Sequence, residues 1–157
     1  MHFSTTLLAS MAALLPLANA VGHAIVKNNC AAPVYIWSVG SSVGPKQTIA
    51  AGKSYSEVLR HDPVSGGIAI KITTTANGLY DGSAQTNFAY TLDGSQVWYD
   101  LSDVFGDPFS GKGLSVDPSV ASCPDICWPK GVSPSGSQTH DCTSTSDVTL
   151  TLCAKKC

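Results

Sequence analysis

Charge is what this sequence has little of. Charged residues make up 13% of its 157 positions, about half the roughly 25% usual in soluble domains, with a single Glu, Glu57, and a single Arg, Arg60. So few charges leave little material for the i,i+4 ion pairs of exposed helices and argue against a long-helix or coiled-coil protein. No run of Lys or Arg occurs and the formal net charge is −2, which excludes the basic footprint of a nucleic-acid binder and a polybasic membrane-surface binder. No apolar run reaches the ~20 residues of a bilayer span. No Asn-x-Ser/Thr sequon follows residue 20, so N-glycans are not expected. What remains is rich in Gly, Ser, Thr and Pro, the composition of one β-rich extracellular domain.

The N-terminus agrees with that placement. Leu7 to Leu15 is a short apolar stretch followed by Pro16 and the small-residue site Ala18-Asn19-Ala20, the pattern of a secretory signal, although no Lys or Arg precedes it. The expected domains are a signal peptide over 1–20, cleaved after Ala20, and a single β domain over 21–157. The final Cys153-Ala-Lys-Lys-Cys157 has neither a hydrophobic tail nor a prenylation ending, so any surface attachment is expected to be non-covalent or through chemistry that the sequence does not display.

All six cysteines, Cys30, Cys123, Cys127, Cys142, Cys153 and Cys157, lie beyond that site. An even count in a secreted domain points to three disulfides, with 15 possible connectivities. Because five of the six crowd between Cys123 and Cys157, the bond from Cys30 spans most of the chain. The competing reading is a zinc site from Cys123-x3-Cys127, His140 and Cys142, which an oxidising compartment disfavours. We expect no metal and no cofactor.

Apolar residues recur with period two rather than 3.6. Strands are expected at His23–Lys27, Pro33–Val39, Ser54–Arg60, Gly67–Thr75 (Ile68, Ile70 and Ile72 inward), Asn87–Leu92, Gln96–Ser102 and Asp147–Cys153. Asp93-Gly94-Ser95 between two of them is a hairpin signal. Seven or so short strands with Gly/Pro turns predict an all-β antiparallel sandwich. Between Val104 and Ser146 the pattern dissolves, and we expect a disulfide-stapled loop region with room for a helical turn.

The ends of the chain resemble a known family. His23-Ala-Ile-Val-Lys-Asn-Asn-Cys30-Ala-Ala-Pro-Val-Tyr-Ile-Trp37 is similar to the opening strand pair of thaumatin-like proteins. Gln47-x3-Ala51-Gly52 resembles their next turn, Trp98-Tyr99-Asp100-Leu101-Ser102 their Tyr-Asp-Val-Ser strand, and Val148-Thr-Leu-Thr-Leu-Cys153 their C-terminal strand. With few cysteines, the chain most resembles the small secreted thaumatin-like proteins of filamentous and dimorphic fungi, including the yeast-phase-specific group. The resemblance implies a thaumatin-like β-sandwich and a Cys30–Cys153 bond; the pairing of Cys123, Cys127, Cys142 and Cys157 stays open.

Larger members carry an acidic cleft of one Arg, one Glu and three Asp, associated with β-1,3-glucan binding and, in some, weak hydrolysis. Asp100 matches the first cleft Asp. The next falls near Phe105, with Asp103 and Asp107 as substitutes; the expected Glu is Ala89, and the Arg has no counterpart nearer than Lys71. Glycoside hydrolysis needs two carboxyls at a set separation, so no catalytic residue is assigned. The candidate ligand-binding set is Trp98, Asp100, Ser102, Asp103 and Asp107, with Trp98, Asp100 and Ser102 on one face of a strand. The alternative packs Trp98 in the core and gives the aspartates to turns. Trp128, between Cys127 and Pro129, is the better candidate for an exposed aromatic, its alternative being to plug a loop core.

Three further motifs are weak. Gly40-Ser-Ser-Val-Gly44 fits G-x-S-x-G around Ser42, but no helix follows it as a nucleophile elbow requires. His61-Asp62 and His140-Asp141 are sequence neighbours whose side chains diverge in a strand. Val21-Gly22-His23 at a freed terminus could chelate copper or nickel if mobile, whereas His23 is expected to enter a strand. The resulting expectation is a monomeric, non-catalytic protein of the fungal cell surface, tied by the resemblance to wall remodelling and conidial germination, with β-glucan as its candidate ligand. A weak endo-β-1,3-glucanase, and an adhesin, antigen or effector that binds a host or wall protein, are the alternatives.

Overall fold

The computed structural model describes residues 20–157, so the expected signal peptide lies outside the described residues apart from Ala20. The strands are β1 His23–Asn28, β2 Val34–Val39, β3 Gln47–Ile49, β4 Ser54–Val58, β5 Ile68–Thr73, β6 Gln85–Asp93, β7 Gln96–Val104, β8 Gly113–Pro118, β9 Ile126–Trp128, β10 His140–Thr143 and β11 Val148–Ala154. They form a five-stranded sheet, β4-β1-β11-β8-β9, and a six-stranded sheet, β10-β7-β6-β5-β2-β3. Every pairing is antiparallel except β1 with β11, where first and last strands run parallel from Ala24↔Val148 to Asn28↔Leu152.

Alternation explains the core. Ala24 and Val26 of β1, Leu114 and Val116 of β8, and Val148, Leu150 and Leu152 of β11 meet Ile36, Ile68, Ile70, Ile72, Phe88 and Leu101 of the other sheet, all buried. The three isoleucines of β5 face inward as their period requires. The expected hairpin joins β6 to β7 through a two-residue turn, with Gly94 at a φ of 56° that favours glycine. Trp37 lies on the opposite, outer face of its sheet but is buried beneath Tyr80, whose ring meets it edge-on at 6.2 Å.

The stretch from Val104 to Ser146 corrects the expectation of loops. It contributes β8, β9 and β10, and no helical turn occurs there. β8 is an inner strand, held between β11 and β9. Its Leu114-Ser115-Val116 alternation is too short to stand out among Gly, Pro, Ser and Asp. β3 was likewise expected only as a turn.

All six cysteines are oxidised: Cys30–Cys153, Cys123–Cys142 and Cys127–Cys157. The first matches the pairing that the resemblance implied. The zinc alternative is overturned, since no thiol is left to ligate.

Candidate functional site

The candidate face is the outer surface of the six-stranded sheet. On β7, Val97, Tyr99 and Leu101 point into the core, so Trp98, Asp100 and Ser102 point outward. Cross-strand register sets their neighbours: Thr91 and Asp141 beside Trp98, Ala89 beside Asp100, and Asn87 beside Ser102. The Thr139 hydroxyl donates to Asp100 Oδ1 at 3.3 Å, and Gln96 Nε2 to Asp141 Oδ2 at 3.2 Å. Trp98 is 42% exposed, too open for a core tryptophan.

From Trp98 a shallow depression crosses the sheet. Ala89 stands in register with Ala69 of β5, so its floor has no large side chain. Two hollows of about 80 and 480 Å³ adjoin there and share Ala89, Tyr90 and Thr91 in their walls. Gly67 keeps the passage low beside Thr91, because a Cβ there would sit 2.5 Å from Thr91 Oγ1. The far wall is the segment 62–67, fastened by Asp62. Its carboxylate accepts hydrogen bonds from Ser41 N and Oγ and from Val64 N and Ser65 N at 2.8–2.9 Å. The backbone bond from Ser41, then those from Ser65 and Val64, hold its pKa below the usual carboxylate range. The sequence pointed to Asp62 only as a partner of His61, whose ring instead sits within hydrogen-bond distance of the Leu92 carbonyl at 3.1 Å.

The remaining candidates lie elsewhere. Asp103 has the core-facing parity of β7 and accepts a hydrogen bond from the Thr86 hydroxyl, and its Oδ2 is buried without a protein partner. Burial raises its pKa, the Thr86 bond pulls it back, and the neighbouring Asp107 raises it again, to about 6. The structure thus brings Asp103 to Asp107 and sets both apart from Asp100, which faces the other side of the sheet. Because the folded value exceeds the ordinary one near 3.9, the cost of charging Asp103 is complete above pH 6 and absent below about pH 4. Asp103→Asn is therefore expected to stabilise the protein at pH 7 by about 1 kcal/mol, discounted for its partial exposure. Thermal unfolding of both proteins should show that gain shrinking to nothing by pH 4.

Of its two readings Trp128 takes the buried one: it is 0% exposed, with its indole N–H donating to Gln138 at 3.0 Å. Ser42 lies in the tight turn between β2 and the Val39↔Val43 bridge, where Gly40 N donates to the Ser42 carbonyl, so no nucleophile elbow forms. His140 packs near Tyr99 while Asp141 turns outward. The Val21-Gly22-His23 chelate is overturned, because the Gly22 and His23 amides donate to Ser144 O and Asp147 Oδ1 at 2.9 and 2.8 Å. No group of three or more His, Cys, Asp or Glu placed to hold a metal occurs among the described residues.

Sequence reasoning missed a polar clasp between the sheets. The sole Glu and sole Arg meet at 3.0 Å, and Glu57 accepts from Tyr55 Oη at 2.6 Å and Tyr90 Oη at 2.7 Å. Arg60 also donates to Ser38 Oγ at 3.1 Å. The i,i+3 spacing of these two residues was the available signal.

The family model of the Blastomyces yeast-phase-specific protein, Bys1, matches residues 11–154. The chain is 37% identical over 169 aligned positions to the "Antigenic thaumatin-like protein" of Arthroderma benhamiae, covering 98% of this chain and 85% of that one. It is 32% identical over 142 positions to the "Secreted thaumatin-like protein calA" of Emericella nidulans, covering 83% and 81%. The crystal structure of the protein elicitor MoHrip2 from Magnaporthe oryzae is similar with a TM-score of 0.70 and 29% identity, over 85% of this chain and 99% of that one.

Proposed function

The chain belongs to the Blastomyces yeast-phase-specific family of secreted fungal thaumatin-like proteins, and from that premise we propose that it is a non-catalytic component of the fungal wall matrix that binds β-glucan along the Trp98 face. The observation that carries this reading is the exposed Trp98 at the end of a shallow depression floored by Ala69 and Ala89 and edged by Asp100, Thr91 and Thr139. A sugar ring stacks its apolar face on an indole and gives its hydroxyls to flanking carboxylates and hydroxyls. A small-residue floor at Ala69 and Ala89 lets a sugar chain lie close to the sheet. Such a protein acts in wall remodelling during growth or conidial germination by occupying polysaccharide, not by cutting it.

The glucanase alternative finds less support. Asp100 and Asp103 project from opposite faces of β7, whereas hydrolysis needs two carboxyls flanking one glycosidic bond. The names of two relatives, an elicitor and an antigenic protein, favour a second reading in which a host protein is the partner.

The test is a pull-down of the oxidised chain, residues 21–157, with insoluble β-1,3-glucan, reducing-sugar release being followed in the same tubes. The expected result is binding without release, weakened about tenfold by Trp98→Ala, the equivalent of about 1.4 kcal/mol. Release that Asp100→Asn abolishes would establish the glucanase instead. Host-cell binding that soluble glucan does not compete, with no glucan binding, would establish the protein partner.

A further inference from the structure

The near-neutral total charge hides a segregation of sign. The outer face of the six-stranded sheet carries Asp93, Asp100 and Asp141 against Lys71, whereas that of the five-stranded sheet gathers lysines. Alternation on β1 buries Ala24, Val26 and Asn28 and turns Lys27 out to solvent, between Thr151 of β11 and Ser54 of β4. Lys53 is exposed one residue before β4. Lys155 and Lys156 follow β11 and, with Asn29, Gly52, Thr151 and Ser115, line an open hollow of about 660 Å³.

The lysine pair is fixed in place. Cys153 adopts a left-handed φ of 55° where the β11–β8 register slips between Leu152 and Ala154. Gly113 makes room for that bulge, because a Cβ there would lie 2.4 Å from the Ala154 carbonyl oxygen. A non-glycine residue at positive φ is uncommon, and bulges re-aim the chain that follows. Here the turned segment is fastened at both ends, by Cys30–Cys153 and Cys127–Cys157, so little backbone freedom remains to be lost when a ligand meets Lys155 and Lys156. None of the four lysines forms an ion pair among the described residues. Asp117, the carboxylate in the hollow, accepts a hydrogen bond from Ser115 Oγ at 2.8 Å.

We propose that this face is a second binding site, for an anionic polysaccharide bearing phosphate, sulfate or carboxylate groups along its chain. Charge complementarity carries the argument. Ammonium groups on long stems are mobile point charges that suit loosely spaced anions. The hollow offers no aromatic anchor of the kind a folded protein partner seats against, and no stacking platform for bases. The site stands on its own observations whether or not Trp98 binds glucan. With both sites filled, one molecule ties a neutral polymer on one sheet to an acidic polymer on the other.

The test uses immobilised dextran sulfate, with uncharged dextran as reference, and the oxidised chain. Retention on dextran sulfate alone is expected, weakening as NaCl rises from about 50 to about 300 mM. Lys27→Glu and Lys156→Glu should each lower affinity about tenfold. Lys46→Glu, the same charge change on the segment before β3 of the other sheet, should stay within about twofold. Equal losses in all three variants, or no retention at low salt, would overturn the proposal. So would a concentration-dependent dimer, seen by sedimentation and lost in Lys156→Glu, in a protein that dextran sulfate does not retain; the occupant would then be a second copy.

Discussion

Replacing Cys30 and Cys153 together by alanine is expected to lower the free energy of unfolding by about 4 to 5 kcal/mol, the loop-closure value for so long a loop. The two residues are 123 positions apart, so the bond removes more freedom from the unfolded chain than either of its companions, whose separations are 19 and 30. It joins the end of β1 to β11, the one parallel pair in the fold. Without it, two strands from opposite ends of the chain must find each other unaided before the five-stranded sheet can close. Opening Cys123–Cys142 in the same way is expected to cost about 3 kcal/mol. Urea midpoints of the three oxidised proteins measure the order. A smaller loss for the Cys30/Cys153 variant than for the Cys123/Cys142 variant would show that native packing, and not chain closure, sets the contribution.

Much of this architecture was legible because the core strands repeat their pattern. Ile68-Ala-Ile-Lys-Ile72 and Val97-Trp-Tyr-Asp-Leu101 are long enough for parity to declare a face, and the Gly94 turn sets their neighbours in register. β9 and β10 were illegible because each is short, and β8, though as long as β5, because only Leu114 and Val116 mark its inward face among Gly, Ser, Asp and Pro. Short strands of this kind are specified by tertiary context more than by propensity.

The two tryptophans teach the same lesson from opposite sides. Trp98 sits in a run where Val97, Tyr99 and Leu101 are the more consistently apolar set, so parity alone turns it outward. Trp128 sits among Cys and Pro in what reads as a loop, yet Ile126 and Trp128 share the buried face of a three-residue strand. The candidate site was half legible for a related reason. Trp98, Asp100 and Ser102 share a strand and a face, while the depression that extends from them depends on Ala69, Ala89 and Gly67, small residues whose value lies in what they leave empty.

Glu57 carries the second large effect. Burial alone pushes its carboxyl pKa upward, but hydrogen bonds from Tyr55, Tyr90 and Ser38 and the charge of Arg60 outweigh it, and the net shift is downward. The same clasp drives the Tyr55 and Tyr90 hydroxyls well above the usual phenol range, chiefly by burial. Glu57→Ala leaves the buried Tyr90 hydroxyl without its acceptor and Arg60 without its partner, and is expected to cost about 2 to 3 kcal/mol; half-exposed Arg60 keeps some water, which holds the figure below that of a fully buried pair. Because the folded pKa lies below the unfolded one near 4.3, the ionised clasp contributes fully above that pH and is lost as pH falls through the depressed value. Asp103 has the opposite sign, being relieved as pH falls through about 6. Together they place the stability maximum near pH 4, where Glu57 is still ionised and the cost of charging Asp103 has not yet set in. Chemical denaturation of the wild type, Glu57→Gln and Asp103→Asn across pH 3 to 8 should show the Glu57→Gln deficit closing at the acid end and the Asp103→Asn gain opening toward neutral pH. A Glu57→Gln deficit that stays constant below pH 4 would mean that the clasp acts through its shape and not its charge.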